Sequence, residues 1–306
     1  MLFFVGVSTA SSSIMALFPR WAAALSLDAE LRGIDVPLAA TSEETRRAVE
    51  TVASTTGSRG ALVTTHKSNV FEQAADLFGS LDAAAQLCRE VSCVVVTEGG
   101  IRGSAKDVLT GGLAIDHLLG VAAHAKLPRD VVMLGAGGAS LAIAVHLVSR
   151  RDAPQRLVIT DRRPERLQLI REVCAQVGTD TVVETHQVSE SDASDQLVAT
   201  SRPGTLVINA TGLGKDLPGS PLGDAVRFPP QALAWDLNYR GDLTFLKQAR
   251  RQVVSDGVVA VDGWRYFLHG WTEVISEVFD VPMTPATFAM LGDIAENLRL
   301  VESTQR

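Results

Sequence analysis

The sequence predicts an α/β protein in which an N-terminal α/β domain is joined to a doubly wound α/β domain. Three observations predict this fold class. Short apolar runs alternate with helical patterns, which is typical of βαβ units and a mainly parallel sheet. A glycine-rich turn at 135–139 separates an apolar strand from an apolar helix. The last two predicted elements are helices, with no strand after them.

The first part of the chain alternates strands and helices. The predicted strands span 2–7, 36–39, 60–64 and 93–97, and the predicted helices span 14–27, 43–51, 69–77 and 83–89. A longer amphipathic pattern at 109–125 predicts a helix that connects two domains.

The second part contains the clearest α/β pattern. Strands are predicted at 130–134, 155–160, 181–185, 206–209 and 232–236, with helices at 140–149, 164–177, 263–278 and 285–301. Two terminal helices after such a domain often pack on the first domain. We therefore expect a discontinuous first domain of residues 1–109 and 262–306, and a second domain of residues 110–261.

Composition narrows the class of protein. The 306 residues carry a formal charge of −7 without a basic block, which argues against a nucleic-acid partner. Three cysteines without paired spacing predict buried, inert thiols and no metal site. No basic leader and no apolar run of ~18 residues is present, so we expect a cytoplasmic protein without a membrane partner.

The glycine turn predicts a dinucleotide site of the Rossmann type. Gly135 permits a tight turn after the strand, Gly137 lets the backbone approach a pyrophosphate, and Ser140 allows helix and strand to pack closely. The positive end of the following helix would face the phosphates. The predicted cofactor contacts in the turn are Gly135, Ala136, Gly137, Gly138 and Ala139.

The end of the next predicted strand bears on the choice of cofactor. Asp161 can accept both ribose hydroxyls of NAD and would repel the 2′-phosphate of NADP. Arg162, Arg163 and Arg166 follow directly and are the kind of cluster that neutralises that phosphate. Arg162 can also stack on adenine with either cofactor. The strand end favours NAD, and NADP stays an alternative.

These residues, with others in the same order along the chain, resemble the shikimate/quinate dehydrogenase family. The matching segments are the serine-containing loop at 6–13, G-A-L-V-T-T-H-K at 60–67, G-S-A-K-D at 103–107, the G-A-G-G-A turn, N-A-T-G-L-G at 209–214, and D-L-N-Y at 236–239 with Thr244. The segment at 60–67 is one residue shorter than the family pattern. The glycine turn and the 209–214 segment are the strongest matches.

The resemblance implies a function as well as a fold. It implies a substrate domain that receives the C-terminal helices, an inserted nicotinamide domain, and an active site in the cleft. The catalytic pair of the family corresponds to Lys67 and Asp107, which would move the hydroxyl proton while the nicotinamide takes a hydride. The 209–214 match adds Asn209, Thr211 and Gly212 to the cofactor contacts.

Several substrate anchors of the family are absent. Apolar or small residues, namely Ile14, Leu62, Val95, Val96, Ala105 and Gly270, occupy their positions, with His269 just before the last. A site that loses its hydrogen-bonding groups loses discrimination for a polyol steeply. The polar groups left to bind a small molecule are Ser11, Ser12, Ser13, Thr64 and Tyr239.

The sequence therefore predicts an NAD(P)-dependent alcohol dehydrogenase acting on a small acidic substrate with fewer hydroxyl groups than shikimate. A genuine shikimate or quinate dehydrogenase with an altered pocket is one alternative. A non-catalytic nucleotide-binding regulator is another, although the presence of both Lys67 and Asp107 disfavours it. A homodimer is compatible with this class of protein.

Overall fold

The computed structural model describes residues 1–122, 126–189, 191–215 and 217–304. The elements up to residue 106 are β1 (Leu2–Gly6), α1 (Ile14–Ala24), β2 (Leu31–Asp35), α2 (Ser42–Ser54), β3 (Gly60–Val63), α3 (Lys67–Ala74), β4 (Phe78–Leu81), α4 (Ala83–Cys88), β5 (Cys93–Thr97) and β6 (Gly100–Ser104). The remaining elements are α5 (Asp107–Val121), β7 (Asp130–Leu134), α6 (Gly138–Ser149), β8 (Arg156–Asp161), α7 (Pro164–Val177), β9 (Val182–Gln187), α8 (Ser191–Ala199), β10 (Leu206–Asn209), β11 (Leu233–Asp236), α9 (Thr244–Arg250), α10 (Val253–Asp256), β12 (Val259–Val261), α11 (Trp264–Phe279) and α12 (Pro285–Thr304).

The chain divides into two compact units, residues 1–106 with 270–306, and residues 107–269. The division is discontinuous, and its limits, 106/107 and 269/270, lie three and eight residues from the limits 109/110 and 261/262 that the sequence predicts. The last three residues of the helix predicted at 109–125 lie outside the described residues.

The sheet of the first unit is mixed, with three parallel and two antiparallel pairs of neighbouring strands among the described residues. Its strands run in the order β2-β1-β3-β5-β6-β4, and β5 pairs antiparallel with both β3 and β6. The pairing of β5 with β6 follows from the connection, because only Glu98 and Gly99 separate the two strands. A two-residue connection can only join antiparallel strands.

The strand predicted at 36–39 is also misplaced. The strand of this region is β2, Leu31–Asp35, and it pairs with β1 at the edge of the sheet. Its residues are half-buried or exposed, so it lacks the apolar run that identifies a buried strand. Pro37 has no backbone N–H to donate to a ladder, which disfavours a strand at the predicted position.

Helix α12 and the part of α11 from residue 270 onward pack in the first unit. The indole Nε1 of Trp21 in α1 donates to the carbonyl oxygen of Leu291 in α12, at 2.9 Å. The rings of Phe4 in β1 and Trp271 in α11 meet edge to face, with centroids 5.0 Å apart. Burial of these aromatic rings holds α11 and α12 against the elements of the N-terminal sheet.

The sheet of the second unit is parallel and doubly wound, as predicted. Its strands run in the order β12-β11-β10-β7-β8-β9, and each strand pairs in parallel with its neighbours. The strand order reverses between β7 and β10, and ligands of such sheets bind at the carboxyl edge beside this reversal. Gly135, Asp161, Asn209 and Asp236 end or follow β7, β8, β10 and β11, so the topology brings them to that edge.

Candidate active site

A cavity of about 560 Å³ opens at the carboxyl edge of the second unit's sheet. Its lining comes from the loops after β7, β8, β9 and β10 and comprises Gly135, Gly137, Thr160, Asp161, Arg162, Arg163, Arg166, Val188, Ser189, Ser191, Ser194, Ala210, Thr211, Gly212, Leu213, Leu217, Ser220 and Pro221. Six residues predicted to contact the cofactor meet here: Gly135, Gly137, Asp161, Arg162, Thr211 and Gly212.

The glycine turn has the geometry of a phosphate-binding turn. Gly135 has φ +101°, and a Cβ at this position would lie 3.0 Å from the carbonyl oxygen of Ala210. A side chain would therefore be strained and crowded. Helix α6 begins at Gly138, and its N-cap residue, Gly137, has no side chain to cap the first N–H groups. Those groups and the positive helix end suit a pyrophosphate.

The other predicted turn residues lie around this helix start. Gly138 and Ala139 form the first turn of α6, and Ser140 is fully buried, as close packing of helix and strand requires. Ala136 is buried, and its backbone N–H donates to the Asp161 carboxylate at 2.7 Å. The end of β8 is thus tied directly to the glycine turn.

Asp161 combines these backbone contacts with a position on the cavity wall. Its second carboxylate oxygen accepts from the backbone N–H of Arg163 at 2.9 Å, and its side chain is 12% exposed. The guanidinium of Arg166 lies beside the glycine turn, with Nη1 3.8 Å from the place of a Cβ on Gly137. Arg166 therefore belongs to the cavity wall.

A buried amide–carboxylate network holds the 209–214 loop. Asn209 donates from Nδ2 to Oδ1 of Asp236 at 3.0 Å, and its own Oδ1 accepts from the hydroxyl and the N–H of Thr211 at 2.7 and 3.1 Å. Asn238 donates from Nδ2 to the carbonyl oxygens of Thr211 and Leu213. Asn209 is fully buried below the loop, whereas Thr211 and Gly212 line the cavity.

Sequence reasoning missed the structural role of Asp236 and Asn238. Asp236 is fully buried, and burial raises the pKa of its carboxyl from 3.8 to about 7. The sequence signals are a carboxylate at the end of an apolar strand, an amide two residues later, and the match of D-L-N-Y at 236–239 to the family pattern.

Lys67 lies at the first position of α3 in the other unit. It is half-buried, its N–H donates to the carbonyl oxygen of Thr64 at 3.1 Å, and its carbonyl oxygen accepts from Val91 at 3.0 Å. Thr64 donates from its hydroxyl to the carbonyl oxygen of Val5. The neighbouring His66 is buried, with Nε2 2.8 Å from the carbonyl oxygen of Val36, so its ring is held by the fold.

The three predicted substrate serines surround the start of α1. Ser11 is exposed and donates to the carbonyl oxygen of Ser8 at 2.9 Å. Ser12 and Ser13 are half-buried, and Ser13 is the N-cap residue of α1 without a side-chain capping bond. Next to them, Thr9 donates from its N–H and its hydroxyl to the Asp35 carboxylate at 2.8 and 2.6 Å, which fixes this loop on β2.

Asp107 is buried, with 6% exposure, and is the first residue of α5. The residue before it, Lys106, is half-buried. The Lys106 ammonium forms an ion pair with the Glu277 carboxylate, and its side chain is only 21% exposed. Glu277 was not identified from the sequence, because it lies in α11, far from Lys106 along the chain.

Tyr239 belongs to an aromatic cluster of the second unit. Its ring centroid lies 4.6 Å from that of Phe267 and 5.2 Å from that of Trp264. His269 is buried in the same unit, and burial, followed by the nearby Arg265 and His117, lowers the pKa of its imidazole from 6.5 to about 4. His269 is therefore neutral at neutral pH.

Two further findings concern membrane-spanning helices and metal sites. Over the part of the chain that the structure describes, no helix is both long enough and apolar enough to cross a membrane. Among the same residues, His, Cys, Asp and Glu side chains form no group of three or more that could hold a metal ion.

Comparison with known proteins supports the nucleotide site and extends over the chain. Residues 131–216 match the family model of the saccharopine dehydrogenase NADP binding domain. The shikimate dehydrogenase (NADP(+)) of Methylobacterium radiotolerans is 30% identical over 273 residues, which cover 87% of this chain and 86% of the relative. That of Symbiobacterium thermophilum is 31% identical over 144 residues, 46% of each chain.

Solved structures share the fold at low sequence identity. Quinate dehydrogenase from Corynebacterium glutamicum, in complex with NAD, gives a TM-score of 0.74 at 20% identity over 98% of both chains. The 5-ketofructose reductase of a Gluconobacter strain gives 0.68 at 19% identity over 97% of this chain and 98% of its own. An Ael1 enzyme from Pseudomonas putida gives 0.70 at 22% identity over 95% and 97%.

Proposed function

We propose, because this chain belongs to the shikimate dehydrogenase family, that it transfers a hydride between a nicotinamide dinucleotide and a carbinol or ketone carbon of a small acidic substrate. The chain is an NAD(P)-dependent oxidoreductase of this family. The observation that carries the proposal is the cavity at the carboxyl edge of the parallel sheet, lined by the glycine turn and by Asp161, Thr211 and Gly212.

The cavity residues fit a dinucleotide. The Gly135 turn and the start of α6 would hold the pyrophosphate, and Asp161 would accept hydrogen bonds from the adenosine ribose. Thr211 and Gly212 lie on a loop that the Asn209 network holds in one conformation. When bound, the nicotinamide supplies the hydride donor or acceptor of the reaction.

Lys67 and Asp107 would serve proton transfer at the substrate oxygen. A lysine with an ordinary pKa near ~10.4 is a poor base at neutral pH, and burial lowers such a pKa. A carboxylate opposes that shift, but it orients the ammonium for hydrogen bonding. Lys67 is half-buried with its backbone held on both sides, and Asp107 is buried, which supports two ordered groups.

The substrate would carry fewer hydroxyl groups than shikimate and can be cyclic. Ile14, Leu62 and Ala105 replace polar anchors of the family and are buried at 0%, 6% and 4% exposure, and none of them offers a side-chain hydrogen bond. A site that lacks such partners gives up discrimination by factors of up to about 10⁴ for the hydroxylated ligand. The polar groups that remain are the serines at 11–13, Thr64 and Tyr239.

A turnover screen with both cofactors tests the proposal. The panel contains shikimate, quinate, 5-ketofructose and a series of small hydroxy acids and keto acids. We expect cofactor-dependent turnover of at least one panel member, with a shikimate kcat/KM well below about 10⁴ M⁻¹s⁻¹, the lower end of the ordinary enzyme range. A shikimate value above that limit would make the chain a genuine shikimate dehydrogenase. Tight cofactor binding without any turnover would support a non-catalytic nucleotide-binding protein.

A variant of the glycine turn tests whether the cofactor binds in this cavity. Gly135→Val should abolish cofactor binding, because Gly135 has φ +101° and a crowded Cβ position. Gly178→Ala is the matched control. Gly178 also has a positive φ, +75°, but it ends α7 outside the cavity, so its loss should lower stability and leave cofactor affinity unchanged.

A further inference from the structure

We propose that Ser92 and Glu277 are positioning residues, which hold the segment 104–106 from two sides and so fix the place where Asp107 begins α5. The proposal rests on the proposed function, in which Asp107 takes part in proton transfer. Neither residue carries a motif of its own, and both act on Asp107 through the residues before it.

Ser92 holds the backbone of this segment. Its hydroxyl oxygen accepts the N–H of Lys106 at 2.7 Å, and its own N–H donates to the carbonyl oxygen of Ser104 at 3.0 Å. Ser92 is buried, with 3% exposure, so water does not replace these bonds easily. The Lys106 N–H is the last backbone donor before that of Asp107, and its hydrogen bond therefore limits the movement of the chain entering that residue.

Glu277 holds the side chains of the same segment. Residues two apart along an extended chain point to the same face. The side chains of Arg102, Ser104 and Lys106 all reach the Glu277 carboxylate, Lys106 by an ion pair, Ser104 by a hydrogen bond of 3.1 Å and Arg102 at 3.4 Å. One half-buried carboxylate on α11 thus gathers three consecutive side chains of that face, and the Lys106 ion pair is the contact next to Asp107.

Val91, the residue before Ser92, bonds to the backbone of Lys67. The N–H of Val91 donates to the carbonyl oxygen of Lys67 at 3.0 Å, and the carbonyl oxygen of Ser92 accepts from Val63 at 2.8 Å. Two adjacent residues, Val91 and Ser92, therefore bond to the segment that carries Lys67 and to the segment that precedes Asp107. A change at Ser92 affects the relation of the two segments without removing either catalytic side chain.

Small displacements of catalytic groups are costly. A misplacement of about 1 Å reduces rate by up to about 10²-fold, even when the mutated residue is remote from the reacting atoms. Ser92 and Glu277 belong to the unit of residues 1–106 and 270–306, whereas the dinucleotide cavity is built by the other unit. Their loss should therefore lower kcat and leave cofactor affinity unchanged.

The test compares Ser92→Ala and Glu277→Gln with wild type on the panel substrate that turns over. We expect kcat to fall roughly 10–100-fold in each variant, with KM and cofactor Kd within about threefold of wild type. Ser92→Thr, which keeps the hydroxyl, should recover most of the lost kcat. Hydrogen exchange of the peptide 105–110 should be faster in Ser92→Ala than in wild type.

Two control variants remove comparable contacts elsewhere. Ser201→Ala removes a buried hydroxyl that donates to the Leu197 carbonyl at 2.7 Å, and Glu184→Gln breaks a half-buried ion pair with Arg156 at 2.7 Å. Both should lower Tm and leave kcat within about twofold of wild type.

Normal kcat in folded Ser92→Ala and Glu277→Gln would overturn the proposal. So would kcat losses in the two control variants as large as those at Ser92 and Glu277, because the effect would then reflect stability alone. If the wild type turns over no panel substrate, the proposed function fails and hydrogen exchange alone decides. Faster hydrogen exchange of the peptide 105–110 in Ser92→Ala then supports the proposal that Ser92 and Glu277 fix the segment 104–106. Unchanged exchange overturns it.

Discussion

At the scale of single residues, Asp161 should decide between the two nicotinamide cofactors. Its carboxylate lies on the cavity wall and carries the charge that favours a ribose diol over a 2′-phosphate, although three arginines line the same cavity. We expect NAD to bind more tightly than NADP. Asp161→Ala should weaken NAD binding by roughly 10–100-fold, the usual scale of hydrogen bonds to a charged group.

Equilibrium titration of both cofactors measures this preference. Asp180→Ala, at an exposed aspartate outside the cavity, is the control and should leave both affinities unchanged. A wild-type preference for NADP, or unaltered NAD affinity in Asp161→Ala, would mean that Arg162, Arg163 and Arg166 determine the choice.

The cysteines illustrate how burial controls reactivity. Cys88, Cys93 and Cys174 are free and buried, which confirms the burial expected from the sequence. Burial, assisted by the Glu277 carboxylate, raises the pKa of the Cys93 thiol to about 12, and burial raises that of Cys174 to about 11. Because the thiolate is the reactive form, an aromatic disulfide reagent at pH 8 should label the native protein at least about 10²-fold more slowly than the denatured protein. Rapid labelling of the native protein would contradict the packing around these residues.

At the scale of elements, the hydrogen-bonded ends of β10 and β11 make the stability of the fold depend on pH. Asp236 accepts hydrogen bonds at Oδ1 from Asn209 and Asn238, whereas its Oδ2 is buried without a hydrogen-bond partner among the described residues. Burial raises the pKa of this carboxyl from 3.8 to about 7 in the folded state. The protonated form is therefore favoured by folding.

The sign of the effect on stability follows from proton binding. Below pH 4 the carboxyl is protonated in both the folded and the unfolded chain, and its contribution to stability is fully present. Between pH 4 and 7 the unfolded chain loses the proton first, so the free energy of unfolding falls by up to about 1.4 kcal/mol per pH unit. Asp236→Asn should remove this fall, and urea unfolding of both proteins from pH 4 to 9 measures it. Parallel pH profiles of wild type and Asp236→Asn would contradict the raised pKa.

The strands and helices also differ in how well the sequence predicts them. The fully buried strands β7 and β10 were predicted at their observed residues, because every position in them is apolar or caps an apolar run. Edge strands such as β2 and the short β12 are half-exposed and carry no such signal, and β4 and β6 were missed as well. The polar helix α8 was overlooked for the same reason.

The residues of the candidate site likewise differ in how well the sequence predicts them. The glycine turn was identified because its function depends on residues that are adjacent in the sequence. The side-chain contacts made by Ser92, Asn238 and Glu277 were not, because their partners lie 12 to 175 residues away and only the fold brings them together. Local motifs reveal the groups that contact a ligand, and the tertiary fold determines the groups that hold them.

At the scale of the whole molecule, two compact units carry different parts of the proposed chemistry. The dinucleotide cavity belongs to residues 107–269, and Lys67 belongs to the unit of residues 1–106 and 270–306. Asp107 is the first residue of the unit that contains the cavity. The coupling between Lys67 and Asp107 is the property on which the catalytic proposal depends.

The kcat values of Lys67→Ala, Asp107→Asn and the double variant, at saturating cofactor, test this claim most directly. Lys67→Ala should lower kcat by roughly 10²–10⁴-fold, the scale of general acid–base catalysis, with cofactor affinity nearly unchanged. The double variant should lose much less than the product of the single losses, because the residues act as one unit. The exposed Lys247 supplies the control, and Lys247→Ala should retain wild-type kcat. A Lys67→Ala protein with near-normal kcat, above all if a His66 variant is inactive instead, would contradict the account.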